Sequence, residues 1–161
     1  MYHVRKAVHE DFALIAAMPQ NADELFYMFP RGNYPVPPSE LEEVALGRRS
    51  PTVVTEDGEV AAYCTLYDVE EGERAWLGNV IVHPNHRRGG VGSFMLAAMK
   101  HIAHTEYRAA ALHLVCHNTN TGAMLFYFKH GFKPYDMKTM TDFRGQTIVG
   151  IAMSLRLGEM K

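Results

Sequence analysis

From residue 52 onward hydrophobic positions recur every second residue, a spacing absent from the chain before that point. Residues 52–69 (TVVTEDGEVAAYCTLYDV) run apolar and polar in turn on both sides of Asp57-Gly58. That pair tolerates the left-handed backbone of a two-residue hairpin, so two antiparallel strands are predicted. Residues 75–84 (AWLGNVIVHP) predict a third strand, stopped by proline. The period then lengthens. Val91, Met95, Ala98 and Ile102 follow at steps of four, three and four, which predicts the buried face of a helix over about 92–105. Residues 111–117 (ALHLVCH) predict a strand, and residues 121–132 (TGAMLFYFKHGF) a helix ending near Gly131. In the tail Val149, Ile151, Met153, Leu155 and Leu157 line one face of the second strand of a closing hairpin.

The first third is less regular. Residues 2–8 (YHVRKAV) alternate weakly and predict an edge strand. Glu10 and Asp11 place acids where a helix dipole favours them, at the head of a helical segment that Pro19 interrupts and residues 24–28 resume. The proline-rich stretch 29–40 (FPRGNYPVPPSE) predicts a loop, and Ser39 with Glu42 three residues on predicts a capping box opening a second helix. The elements interleave as β-α-α-β-β-β-α-β-α-β-β without repeat or linker. This predicts an α/β layered fold in a single domain over residues 1–161. The strand–loop–helix of residues 75–105 followed by another strand fits a crossover unit.

Composition narrows the function classes. The 16 Lys and Arg nearly balance the 18 Asp and Glu, so the chain lacks the net positive field of a nucleic-acid or anionic-membrane binder. Cys64 and Cys116 lie far apart in apolar runs and read as buried free thiols. The run 12–18 (FALIAAM) follows acids and stops at Pro19, unlike a signal peptide, and nothing nears membrane-spanning length. The expectation is a soluble, cytoplasmic protein.

Candidate chemistry concentrates in residues 80–96, VIVHPNHRRGGVGSFML. A strand, a glycine-rich turn and a helix start bring backbone N–H groups together at the positive end of a helix dipole, which is an anion site. Gly89, Gly90 and Gly92 permit close backbone approach, and Arg87 and Arg88 add guanidinium donors. A Walker A loop needs a lysine before Ser93, and the dinucleotide fingerprint needs glycine where Met95 stands, so both readings fail. By itself the loop is equally a glycine turn with two solvated arginines.

VHPNHRRGGVG also resembles the acyl-CoA pyrophosphate loop of the GNAT superfamily of N-acetyltransferases, Gln/Arg-x-x-Gly-x-Gly/Ala, with Arg87, Gly90 and Gly92 at its fixed positions. A second signature of that superfamily, Asn-x-x-Ala-x-x-x-Tyr-x-x-x-Gly-Phe, is met by Asn120, Ala123, Tyr127, Gly131 and Phe132. The resemblance covers residues 75–132. It implies a mixed, mostly antiparallel central sheet with helices on both faces, acetyl-CoA as acyl donor, and transfer to a primary amine. It places Val80, Ile81 and Val82 along the pantetheine, with the N–H near Val82 facing the thioester carbonyl. Arg87, Arg88, Gly89, Gly90, Val91, Gly92 and Ser93 would hold the pyrophosphate, and Asn120 would contact the cofactor. Tyr127 becomes the general acid for the departing thiolate, since a phenol of pKa ~10 is suited to protonating it.

The base is less clear. Family members often carry a carboxylate where this chain has Trp76, Asn79 and Val115. His113 and His117 share a strand face with residue 115, and His117 is the candidate taken forward. Glu73 acting through water, or a water chain with no single base, are the alternatives. The pairs His83/His86, His101/His104 and His113/His117 lack a third converging ligand, so no metal site is expected. The acceptor roof falls on residues 24–43, where Phe26, Tyr27, Phe29 and Tyr34 suggest an apolar slot. Asp23, Glu24, Glu40, Glu42 and Glu43 there suggest a cationic amine. A small amine is the leading expectation; a protein amine, or an acyl-CoA-binding module without turnover, are the others. The resemblance leaves a homodimer open.

Overall fold

The computed structural model describes residues 1–158; the last three residues of the expected 1–161 domain lie outside the described residues. Strand β1 (Tyr2–Lys6) leads through a single 3-10 turn into α1 (Phe12–Ala17) and α2 (Ala22–Met28). Then follow α3 (Pro38–Leu46), β2 (Arg49–Glu56), β3 (Glu59–Glu70) and β4 (Arg74–Val82). The chain closes with α4 (Val91–Glu106), β5 (Ala111–His117), α5 (Thr121–Lys129), β6 (Lys133–Thr141) and β7 (Thr147–Arg156). One seven-stranded sheet in the order β1-β2-β3-β4-β5-β7-β6 carries them, antiparallel everywhere except between β4 and β5. This is the expected mixed, mostly antiparallel architecture.

The hairpin at Asp57-Gly58 forms as expected, both residues taking positive φ (50° and 87°), which matches the twist of β2 and β3. Helices cover both faces. Against one, Phe12, Ile15, Leu25, Met28 and Leu41 of α1–α3 pack on Val53, Tyr63 and Ile81. Against the other, Val91, Met95 and Met99 of α4 pack on Cys64, Leu66, Leu77, Leu112 and Leu114, with Tyr127 and Phe132 closing the end. Cys64 and Cys116 are free and buried, as expected.

Three local expectations are corrected. The first helical segment is two helices, because Pro19 lacks the N–H that a continuous helix needs. The second helix begins at Pro38, with Pro37 at the cap and no side-chain cap bond, so Ser39 is not the cap. Pro38 supplies a preset φ at a position whose N–H has no partner to lose, and the Glu42 carboxylate reaches His9 Nδ1 instead, at 2.8 Å. The buried stripe of α4 is Val91, Met95, Leu96, Met99 and Ala103; Ala98 and Ile102 flank it half-buried. The stripe turns that way because α4 lies across a twisted sheet.

Candidate active site

Strands β4 and β5 pair only at their beginnings, Arg74 with Ala111, Ala75 with Leu112 and Trp76 with His113. Beyond that β4 stays with β3 as far as Val82, while β5 stays with β7 as far as His117. The parting starts at a bulge. Between the Thr65–Gly78 and Tyr63–Ile81 pairs, Asn79 and Val80 stand against Cys64 alone, and Asn79 takes φ 53°. A bulge bends its strand and adds twist, which swings the end of β4 away from β5. Asn79 is buried and fastened: its Nδ2 donates to the Met28 carbonyl at 2.8 Å, and its Oδ1 accepts from Thr65 Oγ1 at 3.1 Å.

The bulge also resets which way the strand faces. Leu77, Val80 and Val82 lie on the α4 side, whereas Ile81 is buried under α1–α3. The His83 N–H donates to the Ala61 carbonyl at 2.7 Å, so by antiparallel alternation the N–H and C=O of Val82 turn away from β3, into the gap. Such groups need a partner from outside the sheet.

The gap opens into a cleft of about 820 Å³ that Tyr127, Asn120, His117, Val80 and Val115 line together with residues of the helical roof. A smaller apolar pocket of about 170 Å³, lined by Cys64, Met95, Met99 and Phe126 among others, shares Val80 and Tyr127 with it. Tyr127 is buried against Phe126 and Phe132, ring centroids 5.4 and 5.7 Å away. Among the described residues nothing hydrogen-bonds its hydroxyl. Burial, with the neighbouring Cys116 and Cys64 adding to it, pushes the phenol well above its ordinary value, so it keeps its proton. The two cysteines show what this environment does to sulfur. Burial raises the Cys116 thiol to about 11, and that of Cys64 further still.

His117 is buried against Phe26 (4.6 Å between centroids) and Tyr27 (5.9 Å), and desolvation lowers its pKa. His113 instead sits beside Trp76 with Nδ1 2.8 Å from the Tyr135 hydroxyl, outside the cleft lining. Glu73 lies exposed in the β3–β4 turn, where its carbonyl receives the Ala110 N–H; it does not line the cleft either. Asn120 stands at the N-terminus of α5 with a side chain that makes no cap bond and lines the cleft.

At the end of β4 the glycine loop turns into α4. Gly90 takes φ 94° at the helix N-cap, and Arg88 has φ 67°. The loop's shape therefore turns its backbone, and the Gly89 carbonyl is tied down by the Tyr2 hydroxyl. Val91 is buried, so it offers the loop its N–H only. Gly92 packs near Phe126, and Ser93 Oγ lies 2.9 Å from His130 Nε2. Arg87 is engaged from within: Nε donates to the Val82 carbonyl at 3.1 Å, and both terminal nitrogens grip Glu24 at 2.9 and 3.1 Å. Among the described residues Arg88 has no ion pair. The cleft, the open strand edge and the glycine turn together fit an extended acyl thioester with an anionic tail.

A sequence profile of the Acetyltransferase (GNAT) family matches residues 17–132. The chain belongs to that family. It is an acyltransferase whose donor is acetyl-CoA. No curated protein matches it closely in sequence. Among solved structures it resembles the ribosomal-protein-S18-alanine N-acetyltransferase of Escherichia coli (TM-score 0.77, 20% identity, 100% of this chain and 97% of that one). It also resembles the spermidine N-acetyltransferase of Vibrio cholerae solved with CoA and spermine (TM-score 0.82, 17% identity, 98% and 96%). A third is a Salmonella typhimurium protein with its cofactor acetyl-CoA (TM-score 0.74, 18% identity, 100% and 96%). At these identities the likeness is one of fold.

The acidic roof expected to attract a cation is otherwise engaged. Asp23 pairs with Arg144 at 2.9 Å, Glu24 with Arg87, and Glu42 with His9, while Glu40 and Glu43 stay outside the cleft lining. Phe26 and Phe29 are buried in the roof, Tyr27 lines the cleft, and Tyr34 is exposed. The structure adds residues that the sequence reading missed: Arg48, Tyr67, Asp68 and Lys138 all line the cleft. They come from four separate places along the chain and carry no motif, so only the fold brings them together. No described residues form a group of three His, Cys, Asp or Glu able to hold a metal; His86 bonds Glu56 at 2.7 Å instead. Among the described residues no helix is long and apolar enough to cross a membrane.

Proposed function

We propose that the protein moves the acetyl group of acetyl-CoA directly to the primary amine of a small molecule. The supporting observation is the parted β4–β5 pair, with the Val82 N–H turned into the gap, the glycine loop at one end and the Tyr127 hydroxyl beside it. The donor supplies an activated acyl group as its thioester. Val82 gives an N–H donor for charge developing on the acyl oxygen, fixed before the reaction by the β3 ladder. Val80, Ile81 and Asn120 position the donor, while residues 87–93 receive the anionic tail.

Tyr127 delivers its proton to the leaving sulfur. A phenol raised by burial is a poor acid toward a solvated thiolate of pKa ~8.5, but burial raises thiolates too. Cys64 and Cys116, in the same surroundings, show the size of that effect. The proton is thus held until sulfur needs it. His117 is neutral near pH 7 because of its burial, and accepts the ammonium proton directly or through water. The roof and strand β6 enclose the cleft from both sides, which supports a small acceptor over a protein chain.

The test is thiol release from acetyl-CoA with a panel of amines and short peptides. Turnover with small amines is expected. Tyr127→Phe should cut kcat about 10²- to 10⁴-fold with acetyl-CoA affinity unchanged. If His117 is the base, the pH–rate profile rises below pH 6.5 and then levels. A rise continuing toward the amine's own pKa of ~10 would show that water serves instead. Equal turnover by Tyr127→Phe removes the tyrosine from the mechanism.

A further inference from the structure

The acceptor half of the cleft contains a guanidinium with no carboxylate on it. Arg5, Arg87 and Arg144 each hold an acid through two nitrogens, those of Asp11, Glu24 and Asp23. Arg48, just after α3, has no such partner among the described residues. It lies 4.3 Å over the Tyr67 ring, and Nη1 reaches Thr65 Oγ1 at 3.4 Å. It is half-buried, and desolvation depresses its pKa, the sign of a charge withdrawn from water without full compensation.

Space has been left for it. A Cβ at Gly78 would overlap Nη1 of Arg48 and stand 2.8 Å from the Tyr67 ring, so the bare backbone at 78 is what lets the guanidinium lie on the cleft wall. Arg31 and Lys138 line the same cleft, against Asp68 as its acid. A polyamine entering there meets excess positive charge. Met28, Phe29, Val44, Val115 and Met140 give the rest of the wall an apolar character.

We propose that the acceptor carries its own oxyanion, as an apolar α-amino acid does, and that Arg48 receives the carboxylate and so aims the amine at the acyl centre. A planar guanidinium fits a carboxylate through two parallel bonds, and in a half-dry cleft those bonds discriminate well against a neutral isostere. This rests on the transferase reading above and names the substrate class for that site.

The test uses the full chain saturated with CoA. Binding is measured for L-methionine and L-phenylalanine, their carboxamides, and spermidine, and thiol release from acetyl-CoA is followed with the same compounds. The free amino acids should bind about tenfold or more tightly than the carboxamides. Arg48→Gln should erase that preference with CoA affinity unchanged, Arg48→Lys should restore part of it, and Gly78→Ala should weaken it by displacing the guanidinium. Carboxamides or spermidine binding as well as the acids, or no amino acid binding, overturns the proposal. So does a preference that survives in Arg48→Gln. If that variant does not fold, the wild-type comparison of acid with amide decides alone. Rapid acetylation of the carboxamides would sink the anion site and leave the transferase standing. Carboxylates bound through Arg48 without any acetyl transfer would do the reverse.

Discussion

His117 sits where an imidazolium would be badly solvated, between the rings of Phe26 and Tyr27 on a buried strand. Its folded pKa therefore falls below the ordinary 6.5, and that of His113 falls too, through burial first and then Arg74. The unfolded chain then binds protons that the folded one refuses. Stability from these residues is complete above pH 6.5 and is lost as pH drops through 6.5 toward the folded values. Urea unfolding of His117→Phe from pH 4.5 to 7.5 should show a flatter slope than wild type; an unchanged slope would mean the ring is hydrated. Asp11 works in the opposite range. Its bonds to Arg5, opposed by burial and aided by the Val8 N–H, lower its pKa below 3.8, so its contribution holds above that value and fades as pH falls through the folded one. Asp11→Asn should cost on the order of 1–3 kcal/mol at pH 7 and little at pH 2.

Among the elements, β4 does most to shape the site. Its bulge sets the gap, and Asn79 secures the bulge through a left-handed backbone and two buried hydrogen bonds. Asn79→Ala loses both bonds and puts a Cβ residue at φ 53°; Asn79→Gly loses the bonds alone. Both should destabilise, with the glycine variant about 1 kcal/mol better by urea titration and both raising KM for acetyl-CoA. A glycine variant no better than alanine would mean the bulge had relaxed. The sequence exposed β4 as a strand through its alternation, and the turn at Asp57-Gly58 through its residue types. Nothing in the alternation revealed the bulge. One extra residue leaves a strand pattern nearly unchanged, and its position depends on what β3 offers opposite. The α4 stripe was misplaced for a similar reason: spacing gives the period of a helix, while the sheet beneath decides which face turns inward.

For the molecule as a whole, two apolar cores hold the layers and ion pairs add little. Truncating Ile15 or Met99, both fully buried, should cost about 2–5 kcal/mol, against about 1 kcal/mol or less for a partly exposed pair such as Arg87–Glu24. That pair links the glycine loop to the acceptor roof, so its importance lies in binding. Glu24→Gln should free the Arg87 guanidinium for the donor's anionic tail and tighten acetyl-CoA binding by up to about fivefold, with urea stability nearly unchanged. Weaker binding would show instead that Glu24 aims Arg87.

The sequence by itself determined the elements, the α/β class, the anion loop and, through two short signatures, the family. These are local: periodicity, turn residues and fixed spacings act within a few residues, and backbone geometry follows from them. Only the tertiary structure decided what occupies the acceptor side. Glu24, Asp23 and Glu42 read as free acids along the chain, and distant arginines and a histidine neutralise them in the fold. Arg48 read as one of two surface arginines in GRRS, and Gly78, Thr65 and Tyr67, from two other strands, make it a cleft residue. Charge balance at a site depends on which groups meet across the sheet, and that pairing has no signature in sequence order.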